Sequence, residues 1–213
     1  METNYPWSGK VKLMIDPIKK SKFKIYLRTP GWYNDVVAPG GLYDSRIDLG
    51  GGVLIPLDPT LKINGKGYVY KFEKGYITVE TEWKKGNILE IEFPMDVKII
   101  HSREELKQDK GRIAIQRGPV VYCIEGADNN GKAWNVIIPE STKFETIDYK
   151  VLDESVKALT AEVPVITVGD DGLSLKTEKK KIIAIPYYTW ANRGKNEMQV
   201  WLPTKINDVK LNY

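Results

Sequence analysis

An all-β fold of two antiparallel β-sandwich domains, jelly-roll or immunoglobulin-like in type, is what this sequence predicts, and three observations predict it. Apolar residues recur with the period of two that marks half-buried strands. Gly-, Asn-, Asp- and Pro-rich turn signals interrupt that alternation roughly every eight to twelve residues, the spacing of an antiparallel sandwich. The stretch 111–126, which holds at 120–124 the least polar strand candidate in the first two thirds of the chain, separates a regular series of strands from a less regular one. The expected division is therefore residues 1–125 for the first sandwich and 126–213 for the second, with the last strand either staying in the second or returning to the first.

Taken in order, Val11, Leu13 and Ile15 share one face against Lys10, Lys12 and Met14. After the Asp16-Pro17 break, Phe23, Ile25 and Leu27 alternate with Lys22, Lys24 and Tyr26, a partner for the first strand. Residues 33–59 hold three prolines and the run Gly50-Gly51-Gly52, which predicts a long loop of the kind tied to function or an interface. Leu61-Lys62-Ile63 then runs into Asn64-Gly65, whose tolerance of positive φ suits a two-residue hairpin turn. Residues 68–72, 76–82 and 88–93 follow as strands between charged Gly turns, and Met95, Val97 and Ile99 alternate with Asp96 and Lys98. In the central stretch Ile113 and Ile115 alternate with Ala114 and Gln116, Gly118-Pro119 breaks the run, and residues 120–124 form an apolar strand suited to cover on both faces.

Beyond it, residues 127–132 have the character of a linker. Strands are expected at 134–138, 144–149, 163–168, 173–176, 181–185 and 198–202, while 151–161 reads equally as a short helix or a strand. The expected first core is Val11, Leu13, Phe23, Ile25, Leu27, Ile77, Val79, Leu89, Ile91, Val97, Ile113, Ile115 and Val121.

Composition excludes several classes of function. Apolar residues make up 42% and charged residues 28% of 213, a globular balance, and no apolar run nears the roughly 20 residues a membrane helix needs. Met1 is followed by Glu2 and not by a basic region and apolar run, so no signal peptide is expected. The net charge of +4 is spread along the chain. Its lysine runs, Lys19-Lys20 with Lys22 and Lys179-Lys180-Lys181, flank strands as solvated edges and lack the interleaved aromatics of a nucleic-acid surface. The single cysteine, Cys123, permits no intrachain disulfide or thiolate cluster and reads as an inert core residue.

Catalytic signals are sparse. His101 is the only histidine, no Gly-x-Ser-x-Gly elbow accompanies it, and Gly50-Gly51-Gly52 lacks the spacing of a phosphate cradle. Oxygen-only calcium binding at Asp170-Asp171 is a weak signal that turn chemistry also explains. A paired-carboxylate glycosidase would need two acids a few ångströms apart, and Glu80 with Glu82, Glu90 with Glu92, and Glu104 with Glu105 are the candidates. The first two pairs alternate with buried residues and read as solvated sheet faces. Trp7, Trp32, Tyr33, Tyr43, Trp134, Tyr187, Tyr188 and Trp190 fall mostly in turns or loops, where amphipathic rings either stack on sugars or plug an interface.

Several long motifs carry a resemblance. Thr3-Asn4-Tyr5-Pro6-Trp7-Ser8-Gly9, Leu27-Arg28-Thr29-Pro30-Gly31-Trp32, the hairpins from Glu73-Lys74-Gly75-Tyr76 to Trp83-Lys84-Lys85-Gly86, Gln116-Arg117-Gly118-Pro119-Val120-Val121-Tyr122-Cys123 and Pro186-Tyr187-Tyr188-Thr189-Trp190-Ala191-Asn192-Arg193-Gly194 occur in that order. Together they resemble the C-terminal part of the bacterial β-L-arabinofuranosidase family, glycoside hydrolase family 127. The resemblance implies a parent enzyme whose (α/α)6 barrel carries catalysis through a cysteine nucleophile at a zinc site of cysteines and a glutamate, followed by two β-sandwiches. None of the barrel's motifs has a counterpart here, so no catalytic residue, zinc or other cofactor is expected in this chain, and Cys123 matches the family's sandwich cysteine.

What the resemblance implies is an accessory, non-catalytic region, either an excised piece or a natural truncated product, with the cytoplasm and periplasm both open as its compartment. Its expected partner is the barrel of the same parent, with arabinose-containing glycans as a further candidate and neither nucleic acid nor membrane. Trp7, Trp32, Tyr33, Tyr187, Tyr188, Trp190, Asn192 and Arg193 are the candidate residues. They form either a docking surface for the barrel or a sugar-binding module in which Asn192 and Arg193 bond hydroxyls. The docking reading is preferred because the rings sit in Pro- and Gly-bounded segments that look like fixed motifs of the family.

Overall fold

The computed structural model describes residues 1–34, 37–38, 40–45, 58–169, 171 and 174–209. The strands are, in chain order, β1 (Glu2–Thr3), β2 (Lys10–Ile15), β3 (Ser21–Arg28), β4 (Tyr43–Asp44), β5 (Thr60–Ile63), β6 (Lys66–Gly67), β7 (Lys71–Glu73), β8 (Tyr76–Trp83) and β9 (Asn87–Glu92). They continue with β10 (Val97–Ser102), β11 (Arg112–Arg117), β12 (Val120–Glu125), β13 (Glu145–Val151), β14 (Glu154–Val168), β15 (Leu175–Pro186), β16 (Met198–Gln199) and β17 (Leu202–Pro203). Every pairing is antiparallel, and the helical elements among the described residues are single 3-10 turns, so the fold is all-β.

Two compact units divide the chain. The first comprises the described parts of Met1–Val37 and Leu49–Asp96, the second those of Ala38–Asp48 and Val97–Tyr213. In the first unit a sheet ordered β1-β2-β9-β5-β6 and a sheet ordered β3-β8-β7 share one core. Leu61, Leu89 and Ile91 come from one sheet and Ile77, Val79 and Trp83 from the other. Burying each such side chain contributes about 1.5–3 kcal/mol. Val11, Leu13, Ile25 and Leu27 pack against this cluster. The Trp83 indole N–H donates to the Phe23 carbonyl at 3.1 Å, so the largest core side chain has its polar atom satisfied. The predicted turn is present: Asn64 and Gly65 both have positive φ, 50° and 77°.

The second unit is one nine-stranded sheet running β13-β14-β15-β12-β11-β10-β4. β11 and β12 form a hairpin about Gly118, whose φ of 56° supplies the turn. The hairpin then opens like a fork. β16 pairs with the last two residues of β12 and β17 with the first two of β11, both at the end away from Gly118, so residues 198–203 fill the opening.

Four expectations are corrected here. The boundary expected at residue 125 falls at 96–97, because β11 and β12 pair with β10 on one side and β15 on the other and cannot be parted from the strands that follow. The linker expected at 127–132 is instead a pinned turn within the second unit, where the Asn129 amide donates to the carbonyls of Glu125 and Ile183. Residues 151–161, open between helix and strand, are the end of β13, a turn at 152–153 and the first part of β14, whereas 198–202, expected as one strand, is two short strands because the chain changes partners within it. Val121 is 39% exposed and Phe23 is exposed, its ring lying 6.0 Å from Trp83 at the sheet margin, whereas Ile113 and Ile115 are fully buried in the second unit. Of the long loop expected at 33–59, Tyr43–Asp44 forms β4, and residues 35–36, 39 and 46–57 lie outside the described residues.

Candidate functional site

The apolar run of β12 ends in a charge. Glu125 follows Cys123 on one face of the strand and is 1% exposed. A tight turn follows, Gly126–Asp128, and it requires glycine at its start: a Cβ on Gly126 would lie 2.9 Å from the backbone of Gly131. That turn brings Asp128, its side chain 0% exposed, beside Glu125. Two buried carboxylates without a cation would be strongly destabilising.

Arg193 is that cation. Nη1 donates to Asp128 Oδ1 and Nη2 to Asp128 Oδ2, both at 2.6 Å, a bidentate fork, while Nη2 also donates to Glu125 Oε2. One negative charge remains, and further donors are directed at it. The Tyr149 hydroxyl donates to Asp128 at 2.8 Å and the Ala191 N–H to Glu125 at 3.3 Å. The Asp128 bonds hold the Arg193 guanidinium above its already high ordinary range, against the opposing effect of burial. Burial first, and then the charges of Glu125 and Asp128, push the Cys123 thiol up to about 12.

The cluster anchors the aromatic segment. Residues 186–194 leave β15 at Pro186, which pairs with Tyr122, and turn through a 3-10 element, Tyr187–Thr189. Thr189 Oγ1 donates to the Pro186 carbonyl at 2.7 Å and the Asn192 amide to the Thr189 carbonyl at 3.2 Å. Ala191 takes a positive φ of 67°, and Arg193 closes the loop into the buried acids. The Tyr187 and Trp190 rings stand 6.0 Å apart and within 18° of parallel. Tyr187 is 42% and Tyr188 53% exposed. The Tyr188 hydroxyl is held by Glu154 Oε1 at 2.8 Å; its desolvation and this bond push it up to about 12, so it stays a donor.

The eight sequence candidates thus fall into two groups. Trp7, Trp32 and Tyr33 belong to the first unit and are half-buried. Trp32 and Tyr33 pack edge-on against Phe93 at 6.2 and 5.6 Å, and the Trp32 indole donates to the Tyr5 hydroxyl at 3.0 Å. Tyr187, Tyr188, Trp190, Asn192 and Arg193 belong to the second. Arg193, which in the sugar-binding alternative would bond hydroxyls, is 17% exposed and directs its terminal nitrogens inward. Glu125, Asp128, Tyr149 and Glu154 were missed. The available signal was a glutamate closing an apolar strand, since an acid in that place needs a partner.

The other chemical candidates resolve into ordinary surface. Glu80 pairs with Lys22 and Lys24 at 3.5 and 3.7 Å, Glu82 with Lys20 at 2.7 Å and Glu92 with Lys10 at 3.6 Å, and Glu90 stands in register between Lys12 and Lys62. His101, Glu104 and Glu105 line an open depression of about 600 Å³ with Asp44 and Glu140. Among the described residues no three His, Cys, Asp or Glu side chains are arranged to hold a metal ion. Cys123, buried with its thiol pushed up to about 12, does not fit a zinc-thiolate site. Asp171 Oδ1 accepts from the Ser174 N–H and hydroxyl at 2.8 Å, as a turn residue does, and Asp170 lies outside the described residues. No helix among the described residues is long and apolar enough to cross a membrane.

Comparison with known proteins matches residues 1–95 to the model of the β-L-arabinofuranosidase GH127 middle domain and residues 97–203 to that of the glycoside hydrolase family 127 C-terminal domain. The two matches meet where the compact units part. A non-reducing end β-L-arabinofuranosidase of Bifidobacterium longum subsp. longum is 28% identical over 93% of this chain, which spans 29% of that relative's length. A solved GH127 β-arabinofuranosidase superposes with a TM-score of 0.86 at 31% identity, covering 98% of this chain and 32% of its own. A GH127 β-L-arabinofuranosidase from Geobacillus stearothermophilus T6 gives a TM-score of 0.77 at 31% identity, covering 95% of this chain and 29% of its own.

Proposed function

The chain belongs to glycoside hydrolase family 127, filling its middle and C-terminal domains in that order, and we propose that it is the accessory, non-catalytic region of an arabinofuranosidase-like bacterial enzyme. Its task in this reading is to pack against and stabilise the (α/α)6 catalytic barrel of the same parent protein. One observation carries it: the relatives align with nearly the whole of this chain, while about two thirds of their own length lies elsewhere.

The chemistry of the described residues agrees with a non-catalytic role. The candidate carboxylates on the sheet faces are matched to lysines, the thiol is buried and protonated, and the strongest charge cluster is spent on holding a loop. Trp32 and Tyr33, half-exposed and braced against Phe93, present a fixed apolar edge with Trp7 in the same unit. Rigid aromatic anchors of this kind dominate many protein interfaces, and we assign these three rings to the barrel contact.

The test is to express this chain and the parent's barrel separately and to mix them. Association in sedimentation, with a rise in the barrel's melting temperature and no arabinofuranosidase turnover by the chain alone, is the expected result. A barrel equally stable with and without the chain, and no complex, would reject the reading. So would turnover by the chain that disappears on replacing Glu80, Glu82, Glu104 or Glu105.

A further inference from the structure

We propose that Tyr187 and Trp190 form a saccharide-binding platform on the second unit, with polar groups supplied by Asn192 and by Glu154, which holds the adjacent Tyr188 hydroxyl; the aromatic group assigned to the barrel belongs to the first unit. The proposal rests on reading the chain as part of a carbohydrate-active enzyme and names the ligand that this second group would take.

Three features point to it. The first is presentation: Tyr187 is exposed and stacks on the half-buried Trp190, so the pair offers a backed aromatic surface able to carry the C–H face of a furanose or pyranose ring. The second is rigidity. Pairing of Pro186 with Tyr122 fixes one end of the segment, the Arg193 fork fixes the other, and the Thr189 and Asn192 bonds fix the turn between them. Little ordering is left to oppose binding.

The third feature is the chemistry of the neighbouring polar groups. Glu154 uses one carboxylate oxygen on Tyr188 and keeps the other as an acceptor, and Asn192 uses an amide hydrogen on Thr189 and keeps its oxygen. The Trp190 backbone is engaged within the turn, while its indole N–H makes no bond to the described residues. Two acceptors, one of them anionic, and one donor suit a neutral polyol, which brings hydroxyl hydrogens at successive carbons. An anionic ligand would meet the Glu154 charge, and an extended peptide would bring more carbonyls than one indole N–H can serve. Few polar groups near an aromatic surface are what a sugar needs for orientation.

Titration calorimetry of the chain with arabinofuranosyl oligosaccharides, with Trp fluorescence alongside, tests the proposal. Saturable binding is expected, weakened by about tenfold or more in Trp190→Ala or Tyr187→Ala, as for loss of an aromatic anchor, and unchanged in Tyr26→Ala on the first unit. Circular dichroism and melting of each variant establish that it folds, and Glu154→Gln, a change in a neighbouring polar group that keeps the rings, should weaken binding less than either ring truncation. Absence of saturable binding, or binding that Trp190→Ala leaves intact, overturns the platform. If the same variant instead loses association with the barrel while sugars give no signal, the rings belong to docking; the accessory role survives and the platform does not.

Discussion

Arg193 lies 65 residues beyond Asp128 in sequence and meets it through two parallel N–H···O bonds of 2.6 Å, with Glu125 sharing the same guanidinium. Substituting Arg193→Met leaves two buried carboxylates without their cation. A loss of about 3–5 kcal/mol is expected, the range for breaking a buried pair from one side. Urea unfolding followed by near-UV circular dichroism measures it. The triple change Arg193→Met, Asp128→Asn, Glu125→Gln should recover part of the loss, because it removes the stranded charges as well.

The acid limb of stability should depend on Glu197. Burial alone would raise its carboxyl, but the N–H groups of Ala133 and Trp134 and the Lys132 ammonium outweigh burial and hold it below its ordinary 4.5. A lowered carboxyl contributes stability that is complete above the unfolded value and is lost as pH falls through the folded one. Glu197→Gln should therefore flatten the decline in unfolding free energy below pH 4.5 while changing its slope little between pH 6 and 8. An unaltered acid limb in the variant would contradict this.

Cys123 acts at the other end of the scale. In the unfolded chain its thiol ionises near 9.0, and in the folded chain burial pushes it up to about 12. Between these values the unfolded chain holds fewer protons, so stability falls as pH rises. Cys123→Ala should reduce that slope, leaving the parallel contribution of Tyr122, also pushed up to about 12. At pH 8 the native thiol should be inert to a disulfide reagent and should react fully once urea is added.

Gly9 tests the first unit without touching a side chain. A Cβ there would lie 1.8 Å from the Phe93 carbonyl oxygen, and the Phe93 N–H bonds to the Gly9 carbonyl at 3.1 Å. Backbone must move to admit even a methyl group. Gly9→Ala should cost about 1–3 kcal/mol, as overpacking does, measured as a lower urea midpoint, whereas Gly67→Ala in the same unit, which meets nothing within 4 Å, should lack this steric cost.

What could be read from the sequence was local. Alternation located Ile77, Val79, Leu89 and Ile91 on inward faces, and Asn64-Gly65 announced its turn, because both signals are complete within a few residues. The charge cluster was hidden because its members stand 65 and 68 residues apart, and an Asp-Asn-Asn-Gly run looks the same whether it is free or pinned under a sheet. Residues 198–202 alternate well enough for one strand, but the sequence carries no mark of the partner exchange that splits them. The motifs around residues 186–194 identified the family without revealing that Arg193 would be turned inward.

The fork between β11 and β12 has a consequence for how the second unit is made. As the chain leaves the ribosome, this hairpin appears long before residues 198–203, the segment that fills it; Arg112 waits 89 residues for the Trp201 carbonyl. Until then two apolar strands have unpaired edges, the condition under which nascent chains associate wrongly. Closing so distant a contact is slow, which makes the segment the last stitch of the unit. Chains shortened to residue 197 should accumulate as chaperone-bound or insoluble material, and a synthetic peptide of residues 198–209 supplied during refolding should rescue them, as a donated strand does.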